Sequence, residues 1–197
     1  MPAFAGEPWG SALKILQTSL PGCVVIEPRV FADERGFFFE AWSAARHAEQ
    51  GLPTGFVQGN VSSSARGVVR GLHYQWPNPQ GKLVSVLAGE VYDVAVDIRR
   101  GSPHFGRWTA AILSAENKRQ MWIPEGFAHG FAVLSDNAVF QYLCTAAYDP
   151  AADACIRWND AELAIDWPLA APQLSDKDAR SPFLADVAAD RLPSFLP

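Results

Sequence analysis

The sequence predicts an all-β protein in which short antiparallel strands form a sandwich or barrel. Runs of apolar and β-branched residues recur about every ten residues, and turn-forming residues separate them. Strands do not alternate with long amphipathic helices, as they would in a parallel α/β sheet. The 15 glycines and 15 prolines of the 197-residue chain also favour frequent turns over long helices.

Each predicted strand is a short apolar run bounded by polar or turn-forming residues. Residues 23–26 are β-branched or small, and residues 37–39 follow a polar turn at residues 33–36. Residues 44–50 form the one helix predicted in the first half, because Gly51 and Pro53 end its pattern. Residues 91–98 alternate with a period of two, so one strand face is apolar and the other mixes apolar and acidic residues. The remaining strands are predicted at residues 56–57, 68–69, 83–87, 108–113, 121–123, 127–134 and 139–144.

The length and composition predict one domain over residues 1–197. With 49% hydrophobic and 19% charged residues, the chain can fill a core, which argues against intrinsic disorder. Residues 1–18 are predicted to be a loosely held leader. Residues 169–197 are rich in Ala, Pro and Asp, and they are predicted to form short helices and a tail.

The overall charge argues against several classes of partner. A net charge of −5 and a pI near 5.3 are unfavourable for general binding to nucleic acid or to an anionic membrane. No apolar run reaches the ~18 residues that a membrane span needs, and the first residues lack the basic region of a secretory signal. Three cysteines at spacings that match no zinc site indicate a reduced, cytoplasmic protein.

An uneven charge distribution indicates a local anion site. Residues 50–89 contain no acidic residue but carry Arg66, Arg70, His73 and Lys82, whereas residues 149–191 hold nine acids against four bases. A cationic segment in an acidic chain is typical of a site for a phosphate or an enolate. The alternative, on charge alone, is a strand whose arginines are solvated.

Two of the four histidines lie within predicted strands and close to glycines, which leaves room for a ligand to approach the backbone. His73 lies in the string RGLHYQ at residues 70–75, and His129 lies in PEGFAHGF at residues 124–131. A neutral imidazole can accept a proton near neutral pH, so either histidine could be a general base. The alternative is ordinary packing of a strand histidine.

Several long strings are too specific to be explained by composition. They include RGLHYQ at residues 70–75, GEVYDVAVDIR at 89–99 and WIPEGFAHGF at 122–131, with shorter strings at 33–38, 80–84, 113–120, 158–160, 166–168 and 175–178. In this order they resemble the dTDP-4-dehydrorhamnose 3,5-epimerase family of dTDP-L-rhamnose synthesis. The resemblance implies a cupin-like jelly-roll barrel of antiparallel strands with a few short helices, usually a homodimer.

The resemblance also implies catalytic residues for epimerisation at C3 and C5 of dTDP-4-dehydro-6-deoxy-D-glucose. His73 would be the general base and Asp178 would orient it, while Tyr142 would donate a proton on the opposite face. Lys82 would stabilise the enolate, whose formation is possible because C3 and C5 both neighbour the C4 ketone. From spacing alone, Ser175 and Asp178 are better explained as a helix capping box.

The residues that bind the substrate follow from the same resemblance. Arg70, His129 and Lys177 would line the sugar and phosphate site. The nucleotide-binding set would comprise Arg35, Glu40, Gln58, Asn60 and Asp153. The chain departs from the family pattern at Gly59, Val61 and Leu143, where an acid, an imidazole and a lysine are usual.

No metal or other cofactor is predicted. Metal-binding jelly rolls of the cupin type carry an H-x-H motif followed by an acid, whereas His73 is followed by Tyr74 and Gln75 and no acid occurs before Glu90. Only the second cupin motif, P-x-G-x-x-H at residues 124–129, is matched. One or two scattered histidines cannot complete a site that needs three or four ligands.

Four alternatives remain open at this point. They are a mono-epimerase acting at C3 or C5, a 4-keto-sugar isomerase, a non-catalytic sugar-nucleotide-binding jelly roll and a metal-dependent cupin oxygenase. Tyr142 favours the double reaction, because mono-epimerases tend to vary this tyrosine. The full catalytic set argues against a binding protein, and the missing H-x-H motif argues against the oxygenase.

Overall fold

The computed structural model describes residues 13–195, which form thirteen strands and a few short helices. Every pairing between these strands is antiparallel, as the sequence predicts. The strands are β1 Lys14–Gln17, β2 Val24–Glu27, β3 Val30–Asp33, β4 Gly36–Phe39, β5 Gln58–Ala65, β6 Val69–Gln75, β7 Lys82–Ala88, β8 Glu90–Asp97, β9 Trp108–Ser114, β10 Gln120–Ile123, β11 Phe127–Val133, β12 Asn137–Cys144 and β13 Asp153–Cys155. The helices are α1 Ala44–Glu49 and α2 Asp176–Arg180, with 3₁₀ turns at Leu184–Asp186 and Ala189–Arg191.

Two sheets pack against each other, and a hairpin stands apart from both. The larger sheet has six strands in the order β1-β2-β10-β7-β12-β5, and the smaller has five in the order β13-β6-β11-β8-β9. Strands β3 and β4 form a separate two-stranded sheet. Consecutive strands therefore alternate between the sheets over much of the chain, which brings β6 and β7 to opposite walls.

The main core lies between the two sheets. Val84 and Phe140 of the six-stranded sheet are buried with Ala95 and Phe131 of the five-stranded sheet, and the Phe131 and Phe140 rings stack at 4.2 Å. Each fully buried aliphatic or aromatic side chain contributes about 1.5–3 kcal/mol. This packing fixes the distance between the walls that carry the site.

The outer face of each sheet is also covered. Leu72, Val94 and Ile98 of the five-stranded side pack against the C-terminal segment, which contributes residues such as Ile156 and Leu184. On the six-stranded sheet, Ile26, Leu83 and Trp122 are covered by Leu13 and the segment that follows α1. The C-terminal segment thereby brings α2 next to β6.

Strand β8 has the two faces that its alternation predicts. Val91 and Ala95 belong to the core between the sheets, whereas Val94 and Val96 belong to the outer core. The mixed face is the inner one, so Asp93 points into the interior and is fully buried. A buried carboxylate needs a partner, and this requirement shapes the site.

Some element boundaries differ from the sequence prediction. Residues 56–57 precede a strand rather than form one, since β5 begins at Gln58 and has the polar sequence QGNVSSSA. The helix predicted at residues 44–50 and the short helices predicted after residue 168 are confirmed. Residues 14–17, within the predicted loose leader, pair with β2 as an edge strand, and residues 1–12 lie outside the described residues.

Between residues 13 and 195, no helix is long and apolar enough to cross a membrane.

Candidate active site

A cleft of about 370 Å³ is lined by strands of both sheets. The six-stranded sheet provides one wall through β5, β7 and β12, and β6, β13 and α2 provide the other. Most of the site residues predicted from the sequence meet here. The lining residues are Gln58, Asn60, His73, Tyr74, Gln75, Gln80, Lys82, Tyr142, Tyr148, Asp153 and Lys177.

A histidine–carboxylate pair joins β6 to α2 at this cleft. His73 Nε2 lies 2.6 Å from Asp178 Oδ1, and the side chains are 34% and 3% exposed respectively. Burial is the largest single influence on the pKa of Asp178 and would raise it, but the hydrogen bond and charge of His73, together with hydrogen bonds from Ser175 and Cys155, hold that pKa below its ordinary value. The ionised carboxylate can only accept, so Nε2 carries the proton and Nδ1 is the ring nitrogen that can take another.

Helix α2 explains how Asp178 reaches a strand histidine. Ser175 is the N-cap, and its Oγ accepts a hydrogen bond of 3.1 Å from the backbone N–H of Asp178. The serine therefore caps the helix as the spacing suggests, while the carboxylate of Asp178 contacts His73. The serine half of the capping box is therefore formed through the backbone of Asp178, while its side chain bonds His73 instead of completing the box.

Lys82 and Tyr142 lie on the opposite wall from His73. The register pairs Lys82 of β7 with Cys144 of β12, two residues from Tyr142, so Lys82 and Tyr142 project from the same face. Burial lowers the pKa of the Lys82 ammonium and raises the pKa of the Tyr142 phenol. The wall therefore presents a desolvated amine and a protonated hydroxyl to the cleft.

A second histidine–carboxylate pair is buried behind the first. His129 Nε2 lies 3.0 Å from Asp93 Oδ2, and both side chains are almost completely enclosed. Burial raises the pKa of Asp93 and lowers the pKa of His129. The register places His129 beside His73, and His129 is not among the residues that line the cleft, so its predicted contact with the substrate stays a prediction.

The glycines near the two histidines serve strand packing, which corrects the expectation that they leave room for a ligand. A Cβ on Gly71 would lie 2.5 Å from Gly130 Cα, and one on Gly130 would lie 2.8 Å from the carbonyl oxygen of Arg70. Strands β6 and β11 therefore approach closely at an irregularity in their register. The space at these glycines is filled by backbone.

The mouth of the cleft is a connected set of polar groups. Lys177 forms an ion pair with Asp153, and the Tyr148 hydroxyl donates a hydrogen bond of 3.2 Å to Asp153 Oδ2. The Gln58 amide oxygen accepts from the Tyr148 backbone N–H at 2.8 Å, and the Gln58 amide nitrogen donates to Asn60 at 3.0 Å. These groups offer donors and acceptors of the kind that a nucleotide requires.

Arg70 lies in a neighbouring cleft of about 330 Å³ that shares His73 and Lys177 with the first. Its Nε donates a hydrogen bond of 2.9 Å to Ser64 Oγ, which leaves the rest of the guanidinium to bind an anion. Arg66, by contrast, forms an exposed ion pair with Asp136. Three residues of the acid-free segment therefore line the two clefts, namely Arg70, His73 and Lys82, whereas Arg66 lies on the surface.

The structure does not bring Arg35 and Glu40 to the cleft of their own chain. Arg35 forms an ion pair with Asp33 within the β3–β4 hairpin, and Glu40 pairs with Arg46 at 3.2 Å. The hairpin exposes Phe37 and Phe38 and is not hydrogen-bonded to either large sheet as a strand. Arg35 thus lies on the β3–β4 hairpin and Glu40 directly after it, outside the residues that line the cleft.

Comparisons with known proteins agree with this geometry. Residues 17–186 match the family model described as dTDP-4-dehydrorhamnose 3,5-epimerase. The dTDP-4-dehydrorhamnose 3,5-epimerase of Pseudomonas aeruginosa is 56% identical over 177 residues, which cover 89% of this chain and 98% of that protein.

The chain belongs to the dTDP-4-dehydrorhamnose 3,5-epimerase family.

Solved structures of two relatives match as well. A 3,5-epimerase of Legionella pneumophila, crystallised with dTDP-4-keto-L-rhamnose, has a TM-score of 0.92 and 54% identity, covering 94% of this chain and 100% of that one. A 3′-monoepimerase of Streptomyces bikiniensis, crystallised with dTDP-quinovose, has a TM-score of 0.82 and 36% identity, covering 89% and 91%. The cupin-like fold and the assignment as an epimerase are therefore confirmed.

Two departures from the family pattern are coupled in the structure. Gly59 of β5 pairs with Leu143 of β12, and a Cβ on Gly59 would lie 3.3 Å from Leu143 Cδ2. A larger residue at position 59 would therefore press on the leucine. Val61 is 61% exposed, and none of these three residues lines the cleft.

Several residues of the site were not singled out in the sequence. Tyr148 and Gln80 line the cleft directly, and Asp93 supports it through His129. Gln80 lies in a string that matches the family, and Asp93 is one of two acidic residues on the mixed face of β8. Both residues could therefore have been identified from the sequence. Tyr148 follows β12 in a loop, and nothing in its sequence context distinguishes it.

Proposed function

We propose that the chain inverts C3 and C5 of dTDP-4-dehydro-6-deoxy-D-glucose and yields dTDP-4-dehydro-L-rhamnose. The observation that carries this proposal is the position of His73 and Tyr142 on opposite walls of one cleft. Inversion requires a proton to leave one face of a carbon and another to arrive on the opposite face. Two proton-transfer groups on facing sheets meet that requirement.

The first step is removal of a proton by His73. Nδ1 takes the proton from C3 or C5, the C–H bond breaks, and its electron pair moves into the ring carbon–C4 bond as the C4 carbonyl becomes an enolate. Asp178 supports this step, because an ionised carboxylate holds the imidazole in one tautomer and stabilises the imidazolium that forms. General-base catalysis of this kind contributes about 10²–10⁴-fold.

Lys82 and Tyr142 complete the reaction. The Lys82 amine lies in the desolvated wall, where a cation or a hydrogen-bond donor stabilises the enolate oxygen far more than in water. Tyr142 then donates its phenolic proton to the opposite face of the carbon, and the C4 ketone is restored. His73 releases its proton and Tyr142 regains one, so each inversion leaves the enzyme unchanged and needs no redox cofactor.

The nucleotide part of the substrate fits the polar mouth. Lys177 and Arg70 provide cations for the diphosphate, and Gln58, Asn60 and Asp153 provide hydrogen bonds for the nucleoside. A bound diphosphate would compete with Asp153 for Lys177. His129, which lies beside His73, is a further proposed contact with the substrate.

We also propose that the active form is a homodimer in the cytoplasm. Arg35 lies on the β3–β4 hairpin and Glu40 directly follows it, and the exposed Phe37 and Phe38 of this hairpin form an apolar surface suited to cover the cleft of a second copy. Three free, buried cysteines are consistent with a reducing compartment.

The test is NMR spectroscopy of dTDP-4-dehydro-6-deoxy-D-glucose incubated with the enzyme in D₂O. Deuterium at both C3 and C5, together with the L-rhamno configuration of the product, is the expected result. Label at one carbon alone would make the protein a mono-epimerase, and the absence of any label would contradict enolate chemistry.

A further inference from the structure

Cys155 of β13 lies next to the catalytic pair that the proposed function uses. The register places it directly opposite His73. Its Sγ lies 3.6 Å from Asp178 Oδ1 and 3.4 Å from the carbonyl oxygen of Ile156. The carboxylate oxygen that accepts from His73 is therefore also within reach of a thiol proton.

The protonation state of Cys155 makes it a hydrogen-bond donor. Burial raises the pKa of this thiol to about 12, so the S–H group is retained at neutral pH. A buried neutral thiol is also a poor nucleophile, because the reactive species is the thiolate. The geometry and the chemistry both favour S–H donation to the carboxylate over covalent reactivity.

We infer that Cys155 is a positioning residue for the base: its thiol donates to Asp178 Oδ1 and holds the carboxylate in the rotamer that orients His73. The inference rests on the proposed role of His73. Ser175 Oγ restrains the backbone N–H of Asp178, whereas His73 and Cys155 contact Oδ1 of its carboxylate. Thiol and imidazole together fix the shared oxygen from two directions.

Metal binding is a competing explanation for the same three side chains. His73, Cys155 and Asp178 are of the types that bind zinc, and their ligand atoms lie within 4.8 Å of one another. Bonds of about 2.0–2.1 Å at a tetrahedral angle separate nitrogen and oxygen ligands by about 3.3 Å. The observed separation of 2.6 Å between His73 and Asp178 is that of a hydrogen bond.

Other charged groups surround the pair and are left unchanged in the test. Lys177 precedes Asp178 on α2 and is paired with Asp153 of β13. On the far side, His129 of β11 adjoins His73 and is paired with Asp93 of β8. Substitution of Cys155 alters none of these charges, so its effect reports on the thiol.

The experiment compares Cys155→Ala, Cys155→Val and Cys155→Ser, with Cys23→Ala as the matched control. Cys23 is also a buried thiol whose pKa is raised to about 12, but it lies in the core between the sheets. Two readouts are used: kcat and KM for epimerisation, and the downfield ¹H NMR resonance of the His73 Nε2–H in the free enzyme. The resonance is assigned by its loss in His73→Ala.

The expected result is a loss of kcat without a loss of binding. Loss of a group that orients a metal-bound histidine typically costs 10–100-fold; by analogy, and because a thiol is a weak donor, Ala and Val should lower kcat about tenfold and shift the resonance. KM should stay within about twofold, Ser should restore most of the rate, and Cys23→Ala should change neither readout.

Two results would overturn the inference. One is an unchanged kcat and resonance in Cys155→Ala and Cys155→Val. The other is an equal loss in Ala, Val and Ser together with a raised KM or a lower melting temperature, which would indicate packing alone. A wild-type enzyme without epimerase activity would instead contradict the proposed function, and the resonance would still report whether Cys155 contacts Asp178.

Discussion

His73 can act as a base because one ring nitrogen carries a proton that is hydrogen-bonded to Asp178, and the other ring nitrogen can accept a proton. Asp178 Oδ1 accepts a hydrogen bond of 2.6 Å from Nε2–H, which leaves Nδ1 for the substrate. His129 has the same kind of partner but is enclosed and lies outside the cleft lining. Both histidines are hydrogen-bonded to a carboxylate, but only His73 is exposed to the cleft.

The His73→Ala variant should retain its fold and lose about 10²–10⁴-fold in kcat, because the proton acceptor is gone. Asp178→Asn should also slow turnover, since an amide cannot stabilise the imidazolium. Steady-state kinetics and circular dichroism measure both effects. His104→Ala, a histidine outside the cleft, is the control and should keep the wild-type rate. Wild-type kcat in His73→Ala would remove His73 from the mechanism.

Single site residues were predicted from the family resemblance, since His73, Lys82 and Asp178 lie within matching strings and Tyr142 occupies the tyrosine position of the family pattern. His73, Lys82 and Tyr142 all line the cleft, and Asp178 contacts His73 from α2. The role of Asp93 could not be assigned, because its partner is known only once β8 and β11 are paired. Arg35 and Glu40 were expected at the site, yet within one chain they form ion pairs with Asp33 and Arg46 and do not line the cleft.

At the scale of elements, alternation and turn residues predicted most strands. Strand β8 shows both faces that its pattern indicates, whereas β5 was missed because an edge strand with a polar sequence has no apolar period to detect. The hairpin of β3 and β4 was only half predicted, since Val30–Asp33 is four residues long and its last residue, Asp33, belongs to the polar turn. Helix α1 was predicted from the residues that end it.

Helix α1 should make the stability of the fold sensitive to acid. Burial lowers the pKa of His47, whose Nδ1 donates to the Ser43 carbonyl oxygen at 3.0 Å and whose Nε2 has no partner among the described residues. The unfolded chain takes up this proton near pH 6.5 and the folded chain only at lower pH. The contribution of His47 is therefore complete above about pH 6.5 and is lost as the pH falls below it.

Urea unfolding at pH 7.5 and pH 5 measures this effect. We expect the wild type to lose more free energy of unfolding between the two pH values than His47→Asn, in which a neutral amide replaces the imidazole. An equal loss in both proteins would show that His47 does not take part in the acid sensitivity.

At the scale of the whole molecule, two facing sheets carry His73 and Tyr142 on opposite walls of one cleft, and we propose that Arg35 of a second copy completes the nucleotide site. Complementation tests the second part. Arg35→Ala and His73→Ala should each be weakly active, but co-expressed chains should regain about one quarter of the wild-type rate. Half of randomly assorted dimers are mixed, and each mixed dimer has one intact site. No recovery would mean that Arg35 serves its own chain or none.

We also expect the activity of the whole barrel to be independent of metal ions, because the sequence was predicted to lack the ligands of a metal-binding cupin. Incubation with EDTA should leave the epimerisation rate unchanged, and added Mg²⁺ or Zn²⁺ should not raise it. Loss of turnover in EDTA with recovery on addition of a divalent ion would show that a metal takes part.

The central claim is that abstraction and return of the proton come from opposite walls, and the Tyr142→Phe variant tests it most directly. In D₂O the variant should still exchange deuterium into the substrate through His73, because the base and Lys82 remain. Inversion should become slow, since burial keeps the Tyr142 phenol protonated by raising its pKa and phenylalanine has no proton to give. Time-resolved NMR follows exchange and inversion in one sample. The predicted result is retained deuterium exchange with slowed inversion. Loss of exchange and inversion together, or normal rates of exchange and inversion, would contradict the claim that His73 removes the proton and Tyr142 returns it from the opposite wall.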